Sequence, residues 1–240
     1  MIGRILWITA LLGVAGITTA LQFDRQADTT PSIAPLVPTP MRGYAQTGIA
    51  IAALEANNPA AALAAAEELV RRRPMPAEHL TLLATAQAKA GKAEAAGFTV
   101  QMAAQRGWRE PVAQETVLRL ALGAGDKAEA ARRYAALFRR DATPDALLID
   151  LGPQVLGEPK GPARETFAGI IAGATRWHEM FLQRGARVLP TDAFSEVVAE
   201  AMARNAQFEC DPLKRAVESL RQRDAAAAQQ LAATVAGQCP

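Results

Sequence analysis

Hydrophobic and polar positions divide the chain into three patterns. Residues 5–21 form one uncharged, largely apolar run. Residues 22–42 show no periodicity and carry Pro31, Pro35, Pro38 and Pro40 among Thr, Ser, Ala and Asp. From residue 44 onward apolar positions recur at helical spacing, broken every dozen or so residues by Gly, Pro or Asn. The breaks predict helices over 44–56, 59–73, 77–90, 92–106, 111–122 and 127–140, with Asn57-Asn58-Pro59, Pro74, Gly91, Gly107 and Gly123-Ala124-Gly125-Asp126 as stops. Further helices are expected over 145–156, 163–174, 175–189, 191–206, 212–223 and 224–236. Thr191-Asp192 and Asp224 are the expected caps of the last long helix and the last short one.

The apolar run is a membrane-span candidate. Seventeen helical residues cover roughly 25 Å, close to a hydrocarbon core of about 30 Å. Ile2 and Gly3 extend it, Arg4 can snorkel, and Trp7 suits an interface. Positive charge lies on the amino side, which places that end in the cytoplasm and the rest across the inner membrane. Two other readings stand beside this uncleaved anchor. Thr18-Thr19-Ala20 offers a signal peptidase small residues, and a buried core helix has the same composition. The four prolines predict an extended, semi-rigid spacer. In an exported chain Cys210 and Cys239, the only cysteines, can close one disulfide.

Composition narrows the class. Alanine is roughly a fifth of the chain, well above ordinary usage. Aromatics are 5%, too few with the β-branched residues for an all-β fold. Net charge is +2, so no global basic field invites nucleic acid. Two His and two Cys leave little for a metal site, and no cofactor is expected. There is no phosphate-loop or nucleophile-elbow spacing. His178 and Glu179 are adjacent, so a helix splays them about 100° apart; Trp177 and Phe181 are expected on its buried face. Arg71-Arg72-Arg73, Arg132-Arg133 and Arg139-Arg140 are either helix-terminal cations or an anion-binding stripe. Trp108 is either a core plug at a turn or an exposed anchor.

The helical pattern repeats. AsnAsnProAlaAlaAlaLeu, AlaGlyLysAlaGluAlaAla and GlyAspLysAlaGluAlaAla align at the turns. This makes Ala62, Ala95 and Ala130 equivalent, spaced 33 and 35, with Ala53, Ala86 and Ala121 matching in the first helices. On these features, with Tyr134 in the third unit and Pro74 closing the first, residues 44–144 resemble the tetratricopeptide repeat family. The aromatic expected early in the first helix is replaced by His79 and Gln114. With the apolar run as a transmembrane helix (1–23) and the Pro-rich stretch as a linker (24–43), the resemblance makes an all-α chain: an α-solenoid of helical hairpins (44–144), then degenerate repeats and a cap (145–240). It implies a groove lined by the first helices, with Thr47, Gln87, Glu115 and Arg119 as polar positions and Leu80 and Leu122 as apolar floor. It points to a non-enzymatic scaffold that binds envelope proteins in the periplasm of a Gram-negative cell, with surface polysaccharide biosynthesis or export as one setting. The alternative is a carbohydrate-active or cell-wall lytic enzyme on a helical scaffold, which needs a desolvated acid within 162–206.

Overall fold

The structure is a computed structural model and describes residues 2–239. Among these residues it contains thirteen α-helices, three short 3-10 turns and no strand. Two compact units divide between Gly107 and Trp108.

The first unit begins with α1 (Ile2–Gln26), which is long and apolar enough to cross a membrane. Its apolar side chains point away from the rest of the unit; Trp7, Leu12 and Val14 are all more than half exposed. The hydroxyls of Thr9 and Thr18 donate back to the carbonyls of Ile5 and Val14, so neither adds an unmatched polar group to the apolar surface. At its far end α1 becomes part of the folded unit. Asp24 is buried, and its carboxylate accepts from the backbone N–H groups of Gly43 (2.8 Å), Tyr44 (3.0 Å) and Ala45 (2.9 Å). These are the donors at the start of α2 (Ala45–Glu55), which no side chain of its own caps. A Cβ on Gly43 would approach Asp24 Oδ2 to 3.0 Å, so a residue without one belongs there.

The proline-rich segment differs from the extended spacer predicted. It folds into two 3-10 turns, Pro31–Leu36 and Thr39–Met41, both packed against α1, the first also against α2. Each turn takes a proline in its first positions, where no N–H is needed. Ala27, Ala34, Val37 and Ala45 close into a small core flanked by Ile33, Met41 and Ile49. Prolines alone suggested extension; the apolar residues between them supply enough burial to fold the segment.

Two antiparallel hairpins follow: α2 with α3 (Pro59–Arg72), and α4 (Ala77–Lys89) with α5 (Ala93–Arg106). In the second unit α6 (Pro111–Ala124) pairs with α7 (Lys127–Arg139). The second helices start at Pro59, Ala93 and Lys127, 34 residues apart each time. Asn57, Gly91 and Gly125 immediately precede the caps, all with positive φ (52°, 75° and 76°) and also 34 apart. This corrects the predicted alignment by one residue in the middle unit. Ala96, not Ala95, is equivalent to Ala62 and Ala130; all three are buried, while Ala95 is exposed. Burial follows the same period at Ala50, Ala84 and Leu118, and at Leu69, Ala103 and Leu137. The left-handed residue fixes the register, because it must sit where the chain reverses.

The second unit continues with α8 (Asp145–Leu156), α9 (Pro162–Gly173), α10 (His178–Val188), α11 (Thr191–Ala203), α12 (Cys210–Arg221) and α13 (Ala225–Val235). Alternate helices pack on one another: α7, α9, α11 and α13 in one row, α8, α10 and α12 in the other. Tyr134, Phe138, Phe167, Phe181 and Phe194 are fully buried between them and meet as tilted or edge-on rings. The Tyr134 hydroxyl donates to the Leu148 carbonyl, and burial pushes its phenol well above its ordinary range. The helix expected over 175–189 starts as a 3-10 turn, Thr175–Trp177, which leaves Trp177 half-buried and turns His178 inward instead. Thr191 and Asp192 do not cap α11; Thr191 donates to Asp224 and Asp192 accepts from Arg164. Asp224 does cap α13, through the N–H of Ala227. A disulfide joins Cys210 to Cys239, with Cα atoms 5.5 Å apart, and ties the start of α12 to the chain after α13.

Two outcomes follow for thermal and denaturant unfolding of the full chain in detergent. Asp24→Ala leaves three N–H groups without their acceptor and should lower stability by roughly 2–4 kcal/mol, with Asp24→Asn in between. Cys210→Ser with Cys239→Ser opens a loop of about 30 residues and should cost about 3 kcal/mol, whereas unchanged midpoints would show that neither link matters.

Candidate functional site

The four predicted groove positions fall on first helices, two in each unit. In the first unit, Thr47 is half-buried on α2 and Gln87 half-buried on α4. Gln87 shares its repeat position with Ala53 and Ala121, both of which pack inward. Its side chain follows them: Oε1 is shielded from solvent with no donor in reach. In the second unit, Glu115 and Arg119 stand one turn apart on α6 and pair with each other at 2.8 Å, with Arg119 half exposed. Thr47 and Glu115 occupy the same position of the repeat. Leu80 is buried in the interior of its hairpin, and Leu122 is half-buried against the second unit's core.

The arginine groups are engaged within the protein. Arg71 and Arg72 both bind Glu68, whose carboxyl they hold below its ordinary 4.5. Arg73 lies 4.1 Å above the Tyr44 ring. For Glu129 burial pushes the carboxyl up, but hydrogen bonds from Arg132 and Arg133 outweigh it and leave it lowered. Arg139 stacks on both Trp108 and Trp177, at 4.2 Å from each ring, and Arg109 covers Trp108 as well. Trp108, 39% exposed, is therefore a surface ring sheathed by guanidinium groups, neither core plug nor bare anchor.

A further arginine pattern carries no obvious signature in the sequence. Arg72, Arg106 and Arg140, again 34 residues apart, end successive second helices. Each reaches back to a backbone carbonyl ahead of its own hairpin: Arg72 to Thr39 and Arg42, Arg106 to Pro74, Arg140 to Arg109. Buried arginines do related work in the second unit. Arg164 donates to the Leu156 carbonyl and to Asp192 and Glu196. Arg184 donates to the Phe138 and Arg140 carbonyls, to Thr143 and to Asp145. The bonds of Arg164 and Arg184 to the Leu156, Phe138 and Arg140 carbonyls are charge-assisted closures of helix ends, where carbonyls lack intrahelical partners. The spacing was the available signal, but it is diluted by neighbouring Arg71, Arg73 and Arg139.

The candidate chemistry is modest. His178 is buried, with Nδ1 against the Gln207 carbonyl and Nε2 against that of Ile171, so it bridges two segments and does not meet Glu179 in a working pair. Of the acids within 162–206, Asp192 and Glu196 are both held by Arg164, and Glu179 is exposed. Among the described residues no group of three His, Cys, Asp or Glu is placed to hold a metal ion.

The lowered carboxyls set an acid limit on stability. Folded values below the ordinary 4.5 for Glu68 and Glu129, and below 3.8 for Asp224, mean the stabilisation is fully present above those ordinary values. It is lost as pH falls through the lowered folded values. Unfolding midpoints measured against pH should be flat near neutrality and drop in acid, less steeply in Glu129→Gln; a drop already complete above pH 4.5 would contradict these pairings.

Comparison with protein-family models, with curated proteins and with solved structures returned no match for this chain.

Proposed function

We propose that the chain is a non-enzymatic, membrane-anchored interaction scaffold of tetratricopeptide-like hairpins, displayed on the periplasmic side of the inner membrane. The observation that carries this reading is the common 34-residue recurrence of three features: the left-handed turn residue, the start of the second helix, and the arginine that ties it back. In repeat proteins of that period the first helices serve as a binding surface for peptides or helices of other proteins. The apolar α1 supports anchoring, and a disulfide suits an oxidising compartment. Thr47 and Gln87 in the first unit, and Glu115 and Arg119 in the second, are the positions from which we read partner contact. Assembly or export of surface polysaccharide is the setting to examine first, by analogy of fold alone.

The reading is tested by photo-crosslinking in living cells. A crosslinking side chain at Thr47 or Arg119, on first helices, should capture the same small set of envelope proteins. The same group at Gln101 or Arg132, exposed on second helices, should not. Equal capture from both faces, or none from the first, would contradict a groove.

A further inference from the structure

The segment between α1 and α2 has properties that a water-facing linker does not need. Residues 29–41 carry no ionisable side chain, between Asp28 and Arg42. Both 3-10 turns of this segment pack on α1. Along α1 up to Phe23, Ala20 is the one described residue that is part-buried, so the covered surface begins within the apolar run, which ends at Leu21. Leu36 is 75% exposed, with Pro35 exposed beside it. Phe23 and Leu21, next on the helix, are 45% and 51% exposed.

The backbone of this segment is unusually ready to leave water. Four prolines remove four N–H donors. The N–H groups of Ile33, Val37 and Met41 close onto the carbonyls of Thr30, Ala34 and Pro38. Arg42 donates to the carbonyls of Val37 (2.7 Å) and Pro35 (3.2 Å), and Arg72 to that of Thr39 (2.6 Å). Desolvating peptide groups is what keeps irregular backbone out of bilayers, and here part of that demand is already met internally.

We infer that residues 29–41 form a collar seated in the phospholipid interface of the bilayer that α1 crosses, with Leu36 inserted at the headgroup–acyl boundary. The inference rests on reading α1 as a membrane span. The collar is continuous with that helix, uncharged, and exposes its largest apolar side chain beside it. Arg72 fastens it to the first hairpin through the Thr39 carbonyl, and Asp24 fastens α1 to the same hairpin, so that hairpin is held directly on the membrane surface and not on a stalk.

The test uses the full chain with its disulfide intact, so that one added cysteine is the single reactive thiol. Leu36→Cys, Ile8→Cys and Gln101→Cys are each labelled with an environment-sensitive fluorophore. The proteins are reconstituted in phosphatidylethanolamine–phosphatidylglycerol vesicles, with spin-labelled lipids quenching either near the headgroup or deep in the acyl region. The Ile8 label should be quenched by the deep probe and the Leu36 label by the shallow one. The Gln101 label should respond only to aqueous iodide. A Leu36 label as open to iodide as that at Gln101, with Ile8 still quenched, would overturn the collar and leave the span standing. An Ile8 label untouched by either lipid would overturn the span, and the collar with it.

Discussion

One buried carboxylate joins the two chemically different parts of this protein. The start of a helix leaves several N–H groups without partners, and α2 has no side chain of its own to meet them. Asp24, in the polar last turns of α1, accepts from the N–H of Ala45 at the first position of α2 and from those of Tyr44 and Gly43 just ahead of it. A negative charge at that point also complements the helix dipole. The apolar helix therefore ends inside the folded unit. Whatever holds α1 holds α2 in the same frame, and the proline-rich turns fill the angle between them.

Beyond that junction the architecture follows from small residues at a fixed period. Alanines with no exposed surface, such as Ala50, Ala62 and Ala66, let antiparallel helices approach closely, and Leu69 fills the space between. Alanine is also the strongest helix former, so the same choice favours the short helices themselves. Close packing of alanines buries little area per residue, however, and the hairpins gain additional ties. Arg72, Arg106 and Arg140 supply them by returning to carbonyls some thirty residues upstream. The second unit adds an aromatic core centred on Phe138, Phe167 and Phe181, and closes its last two helices with a disulfide.

Helix positions were legible in the sequence because each break is chemically explicit. Asn58, Asp126 and Asp224 accept from the N–H groups expected of caps, and Pro59 and Pro111 sit in first turns. The register of the repeat was legible only to within a residue. An alanine-rich alignment scores nearly as well when shifted by one, and the position that discriminates is a backbone angle shared by Asn57, Gly91 and Gly125. The proline-rich turns were misread because proline denies a helix its donors but does not deny a 3-10 turn its first position. Thr191 and Asp192 looked like caps by local pattern; long-range partners, Asp224 and Arg164, claim them instead. The candidate groove was the least legible part. Exposure of Arg119 is a local property, whereas the inward turn of Gln87 depends on the correct register.

Through Asp24, α1 and α2 form one mechanical unit. Residue-resolved amide hydrogen exchange of the full chain in lipid nanodiscs tests it most directly. The amides of Gly43, Tyr44 and Ala45 should exchange as slowly as the interior of α2, and Asp24→Ala should free these three first. Fast exchange at all three in the unaltered chain, with α2 itself protected, would contradict it.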